Sequence, residues 1–149
     1  MQPTRRHTFA EAGLLAAVFV VALGCAARAP SSATGPTCAA GDTVLVRETL
    51  YFGRNQPGGG TVSDGEWQTF LDQVLTPRFP SGLTVMAATG QWRGRSGVVE
   101  QERSSVVTVF HAGDPASLRA IEEVALEYKR RFRQEAVLRE RASTCAAFE

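Results

Sequence analysis

Leu83-Thr84-Val85-Met86-Ala87-Ala88-Thr89-Gly90-Gln91-Trp92-Arg93, a turn at residues 94–97, and then Arg103-Ser104-Ser105-Val106-Val107-Thr108-Val109-Phe110-His111 decide the fold. Both runs are rich in β-branched and aromatic residues, and glycines punctuate the gap, so they read as a hairpin. A helix signal flanks the hairpin on each side. Upstream, Ser63 caps a helix and Glu66 closes a capping box. Trp67, Phe70, Leu71, Val74 and Leu75 follow at i, i+3, i+4, i+7 and i+8, one apolar stripe facing a core. Pro77 is expected to stop this helix, because proline lacks the N–H and clashes with the preceding turn. Downstream, Asp114 caps a second helix with Pro115 in its first position. Its stripe is Leu118, Ile121, Ala125, Tyr128 and Phe132, and Lys129, Arg130, Arg131 and Arg133 crowd its last turn, where cations suit the helix dipole.

One further strand lies outside each helix. Thr43 to Phe52 alternates, with Val44, Val46, Leu50 and Phe52 on one face and Arg47, Thr49 and Tyr51 on the other. Ala136 to Ala142, extensible to Phe148, reads as the last strand. The order strand, helix, strand, strand, helix, strand is the ferredoxin-like βαββαβ arrangement, an α+β fold in which two helices cover one face of a four-stranded antiparallel sheet. In that topology the first and last strands are antiparallel neighbours. Cys38 precedes the first and Cys145 follows the last, so the fold brings them together and predicts a disulfide. Closing a loop of about 100 residues contributes roughly 4–5 kcal/mol in the chain-entropy model.

The N-terminus carries an export address. Arg5 and Arg6 form a short positive segment, and Ala12 to Leu23 is uncharged, the length of a signal-peptide core. It is too short for a permanent span, which needs about 20 apolar residues. It ends in Ala22-Leu23-Gly24-Cys25, which resembles the bacterial lipobox, with Ala22 where that pattern prefers Leu. The resemblance implies cleavage before Cys25 and lipid on its sulfur, palmitate among the acyl chains. Two or three chains hold firmly where one is marginal. Ala26, rather than Asp, favours the outer membrane facing the periplasm where a cell has two membranes. The domains read as a signal peptide at 1–24, a Pro/Ser/Gly-punctuated tether at 25–42 and a single α+β domain at 43–149.

Removing the first 24 of the 149 residues takes away Arg5, Arg6 and Glu11, which leaves 14 of the 16 basic and 14 of the 15 acidic residues. A balanced charge argues against a nucleic-acid partner. His111 is then the only histidine, and no cluster has metal-ligand spacing, so neither a metal nor a cofactor is expected. Gly58-Gly59-Gly60 lacks the Lys-Ser/Thr of a phosphate loop and reads as a flexible loop. Ser105 and His111 share a strand face but stand about 20 Å apart, too far to hydrogen-bond.

Glu48-Thr49-Leu50-Tyr51-Phe52-Gly53-Arg54, Thr76-Pro77-Arg78-Phe79-Pro80-Ser81-Gly82-Leu83-Thr84-Val85 and Gly90-Gln91-Trp92-Arg93 resemble domain of unknown function 3574, a family of small exported bacterial proteins. The likeness spans about residues 43 to 148. It implies the domain boundary and no activity.

Two candidate sites remain. Glu48 and Glu140 each sit on a strand face among apolar neighbours, and on adjacent strands could form a coupled acidic pair beneath the helices. The sheet face away from the helices is the second. Arg47, Tyr51 and Arg139, with Arg141 nearby and Arg78, Trp92 and Arg93 at its border, suit a small anionic or planar ligand, because arginine binds carboxylates bidentately and stacks on rings. The same face suits burial in a homodimer. The expected function is a non-enzymatic binding module anchored in the bacterial envelope. The alternative is a small cofactor-free enzyme of the ferredoxin-like dimer type. A cavity lined by Glu48, Tyr51 and His111 would mark the enzyme, and a solid core with a flat sheet the binder.

Overall fold

The computed structural model describes residues 35–148. The expected signal peptide, the lipid-bearing Cys25 and the first part of the tether lie outside the described residues. Four strands, β1 (Thr43–Gly53), β2 (Thr84–Arg93), β3 (Val99–His111) and β4 (Leu138–Ala146), form one antiparallel sheet in the order β2-β3-β1-β4. This is the ferredoxin-like order. Among the described residues no helix is long and apolar enough to cross a membrane.

The first helix starts as expected. The Ser63 hydroxyl accepts from the Glu66 N–H and the Glu66 carboxylate accepts from the Ser63 N–H. It does not stop at Pro77. Asp64–Phe70 runs into a wider turn at Leu71–Leu75, in which the Thr76 N–H reaches back five residues to the Leu71 carbonyl, and a last turn, Thr76–Arg78, carries the proline. Proline is tolerated at the start of a helical turn, where its missing N–H has no partner to lose. The second helix, Pro115–Phe132, is capped by the Asp114 carboxylate, which accepts from the Ala116 and Ser117 N–H groups. Arg133, expected inside its last turn, instead ends it in the left-handed conformation at φ 54°.

Both helices pack on one sheet face. Leu50 and Phe52 of β1 and Val107 and Val109 of β3 meet Trp67, Phe70, Val74 and Leu75 from the first helix. The second helix adds Ile121, Val124, Tyr128 and Phe132, with Leu118 and Ala125 only half-buried. Phe52 stands 4.7 Å from the Tyr128 ring and 5.4 Å from Trp67, and Phe70 lies 5.0 Å from Tyr128. This aromatic cluster fills the space between sheet and helices at the Gly53 end of β1. Cys38 and Cys145 are bonded, with Cα atoms 5.4 Å apart. The bond pins the chain ahead of β1 to the end of β4.

Two differences from the sequence reading matter for function. β3 begins at Val99, four residues before Arg103, so the β2–β3 hairpin is longer than expected. In β4 the faces are exchanged. Thr49 pairs with Glu140 and Glu48 with Arg141. Directly paired residues share a face, so Arg139 and Arg141 lie on the helix side and Leu138, Glu140 and Ala142 on the open side. A strand's side chains alternate, and a shift of one residue exchanges its two faces.

Candidate functional site

The exchange of faces separates the two acids. Glu48 is fully buried on the helix side. Arg141 hydrogen-bonds its Oε1 and Arg139 lies 3.4 Å from its Oε2. The His111 Nδ1 accepts from the Gly113 N–H, which leaves Nε2 as the protonated nitrogen, 3.9 Å from Glu48 Oε1. Glu140 is on the opposite face, where Arg47 at 3.3 Å and the Tyr51 hydroxyl at 3.4 Å donate to it. The expected acidic pair is therefore absent. A buried carboxylate is costly unless paired and hydrogen-bonded, and the arginines supply that pairing. Tyr51 also lies on the face away from Glu48 and His111, so these three line no common cavity.

The six expected ligand contacts divide. Arg47, Tyr51 and Trp92 are on the open face. Arg93 follows Trp92 in β2, so it points the other way, and its guanidinium donates to the Gly97 carbonyl at 2.8 Å. Arg78 sits in the helical layer, 3.3 Å from Glu123. Arg139 belongs to Glu48.

The open face is not flat. At the Gly53 end it holds a concave site of about 650 Å³, within the usual range for a small-molecule pocket. Its floor comes from Tyr51 and Gly53 of β1, Ser104 and Glu102 of β3, and Gly90 and Trp92 of β2. Residues 55–60 make one wall, residues 134–136 another, and Glu100 with the β2–β3 turn closes the far end.

The glycine-rich wall, expected to be a flexible loop, is a hydrogen-bonded hairpin tip. The Gln56 N–H donates to the Gly60 carbonyl and Asn55 bridges to Thr61. Gly58, Gly59 and Gly60 all have φ near +90°, which favours glycine strongly. At the base, Arg54 is 5% exposed; its guanidinium donates twice to the Val62 carbonyl and meets Asp64 at 2.9 Å. These donors hold the Asp64 carboxyl below its ordinary range, the Arg54 hydrogen bond first and the charge of Arg103 next.

Two contacts tie the walls together. Gln134 Nε2 donates to the Asn55 carbonyl at 2.6 Å, and the Arg95 N–H donates to the Glu135 carboxylate at 3.3 Å. The Asn55 N–H also donates to Glu102 at 3.3 Å. Below the floor, Tyr128 donates to the Gly53 carbonyl. Burial pushes the Tyr128 hydroxyl above its ordinary proton affinity, so it stays a donor.

Sequence reasoning missed Glu100, Glu102, Gln134 and Glu135. The signal for two of them was present. Carrying the alternation of β3 back from Val106 by twos reaches Ser104, Glu102 and Glu100 on the open face. Gln134 and Glu135 lie between two elements, where no periodicity places a side chain.

Residues 47–148 match the family model described as protein of unknown function, DUF3574. The chain belongs to this family. No curated protein sequence matches it. Its fold is similar to that of a phage SAM lyase solved in complex with S-methyl-5′-thioadenosine, with a TM-score of 0.53 and 15% identity over 76% of this chain and 95% of the other. The same holds for the phage SAM lyase in its apo state, with a TM-score of 0.52 and 13% identity over 76% and 96% of the two chains.

Proposed function

We propose that this DUF3574 member is an exported domain, anchored by lipid on Cys25, that binds a small planar ligand in the concave site of its open sheet face. The site of about 650 Å³ carries this reading. Its floor is a rigid sheet, its walls are hydrogen-bonded to one another, and Trp92 and Tyr51 offer ring surface to a flat molecule. The anchor rests on Ala22-Leu23-Gly24-Cys25 and on a disulfide between Cys38 and Cys145, which suits an oxidising compartment outside the cytoplasm. Cys25→Ser is expected to move the protein from the membrane to the soluble fraction.

The solved folds favour a nucleoside as the first ligand to try, because one of those lyase structures holds S-methyl-5′-thioadenosine, a flat base on a sugar. They also support a second reading, catalysis on such a molecule at this same site. Titration of the full chain in detergent with S-methyl-5′-thioadenosine, followed by calorimetry, tests the first. Saturable binding that Tyr51→Ala removes and Arg47→Ala leaves is expected, since Arg47 lies outside the pocket. Absence of saturable binding by this compound and by a set of purine and pyrimidine nucleosides would sink it. Cleavage of a bound nucleoside, seen by chromatography, would favour the second.

A further inference from the structure

We infer that the ligand of this pocket is a planar organic cation, which rests on the reading of the pocket as a small-ligand site and adds the sign of its charge. Among the described residues, every charged side chain lining the pocket is a carboxylate, namely Glu100, Glu102 and Glu135, and neither arginine nor lysine lines it. Arg95 and Arg133 adjoin the pocket in sequence, beside Gly94, Ser96 and Gln134, but line no part of it, and three other nearby cations are committed elsewhere. Arg47 pairs with Glu140, Arg93 with the Gly97 carbonyl and Arg103 with Asp64. Glu102 and Glu135 are held by single backbone N–H groups, which fix their positions without neutralising them. An anion entering this space meets like charge that no cationic side chain of the lining offsets, and a cation meets the reverse.

Trp92 sets the kind of cation. It is 45% exposed in the floor of the same pocket. The face of an indole ring attracts a cation most strongly among the aromatic side chains, and it stacks on flat rings. The carboxylates are spread around the cavity, and no group of three acidic, histidine or cysteine side chains among the described residues converges as a metal requires. A delocalised or alkylated nitrogen or sulfur cation on a flat body satisfies both the ring and the dispersed charge. Of the arginines that had suggested an anion, Arg139 and Arg141 neutralise Glu48 on the far side of the sheet.

Three probes of one shape separate the possibilities: quinoline, N-methylquinolinium and quinoline-2-carboxylate, measured on the full chain in detergent by equilibrium dialysis at low salt. N-methylquinolinium is expected to bind about tenfold tighter than quinoline, with the carboxylate weakest. The exposed pair Glu100→Gln and Glu135→Gln together should bring the first two within about threefold while leaving the melting temperature in place. Equal or tighter binding of quinoline or its carboxylate overturns the charge assignment and leaves the pocket reading standing, as does a preference that survives both substitutions. Binding of none of the three overturns this inference, and the nucleoside titration decides whether the pocket reading falls with it.

Discussion

The Tyr128 hydroxyl, buried in the core, donates to the Gly53 carbonyl oxygen across 2.9 Å, and Gly53 forms the floor of the pocket on the opposite side of the sheet. One hydrogen bond thus joins the packing of the second helix to the shape of the site. Tyr128→Phe keeps the ring against Phe52 and Phe70 but leaves that carbonyl without its side-chain donor. A loss of about 1–2 kcal/mol is expected, read as a lower urea midpoint at unchanged slope. Probe binding should weaken as well, because the end of β1 loses its tether.

Glu48 tests which partner of a buried ion pair matters. Arg139→Met with Arg141→Met strands a fully buried carboxylate, at a cost of about 3–5 kcal/mol. Glu48→Leu removes the buried charge itself, and its two arginines, 29% and 39% exposed, can turn to water, so at most about 1 kcal/mol is expected. Denaturant unfolding of the two variants gives the comparison. The reverse order would mean that the network stabilises the fold through the carboxylate.

That network also shows where the sequence stops being legible. The strand and helix order, the capping box and the Asp114 cap follow from local rules, the cysteine pair follows from the topology they imply, and the structure bears them out. The faces of β4 do not. Ala136-Val137-Leu138-Arg139-Glu140-Arg141-Ala142 alternates too weakly to choose a side, and the choice is made across strands, where Glu48 takes Arg141 for its partner. The pocket was half legible for the same reason. Tyr51 and Trp92 follow from strand parity, whereas the wall at Gln134 and Glu135 depends on how two loops meet in space.

The disulfide closes a sequence separation of 107 residues. Constraining so long a loop in the unfolded chain contributes about 5 kcal/mol in the chain-entropy model. Cys38→Ser with Cys145→Ser should therefore remain folded at low temperature but unfold at a much lower denaturant concentration. Adding reductant to the unaltered protein should reproduce the shift, and a midpoint unmoved by either treatment would contradict it.

Acid should destabilise the fold for reasons tied to named contacts. The Ser63 hydroxyl holds Glu66 below its ordinary 4.5, the Ser117 hydroxyl holds Asp114 below 3.8, the Arg130 hydrogen bond lowers Glu127, and Arg54 lowers Asp64. The unfolded chain takes up these protons at higher pH than the folded one, so each contribution is complete above the ordinary value and is lost as pH falls through the lowered one. Denaturant midpoints measured from pH 7 downward should be level to about pH 5 and then decline. Asp114→Asn, which keeps a capping oxygen but cannot titrate, should flatten part of that decline.

Gly53→Ala separates the pocket from the fold. Gly53 is not one of the glycines with positive φ, so alanine fits its backbone, and the loss of glycine's freedom in the unfolded chain offsets part of any strain. The new Cβ would stand 2.5 Å from the Glu102 carboxylate oxygens, which must move. Those atoms are the end of a flexible side chain, so the fold should lose no more than about 1 kcal/mol. The site changes more, because the methyl group enters its floor and Glu102 leaves its place beside the Asn55 N–H. N-methylquinolinium binding is expected to fall severalfold with the melting temperature nearly unchanged. A large drop in melting temperature would mean that Glu102 and Asn55 hold the glycine hairpin in place as a structural clamp, and unchanged binding would place the ligand away from Gly53.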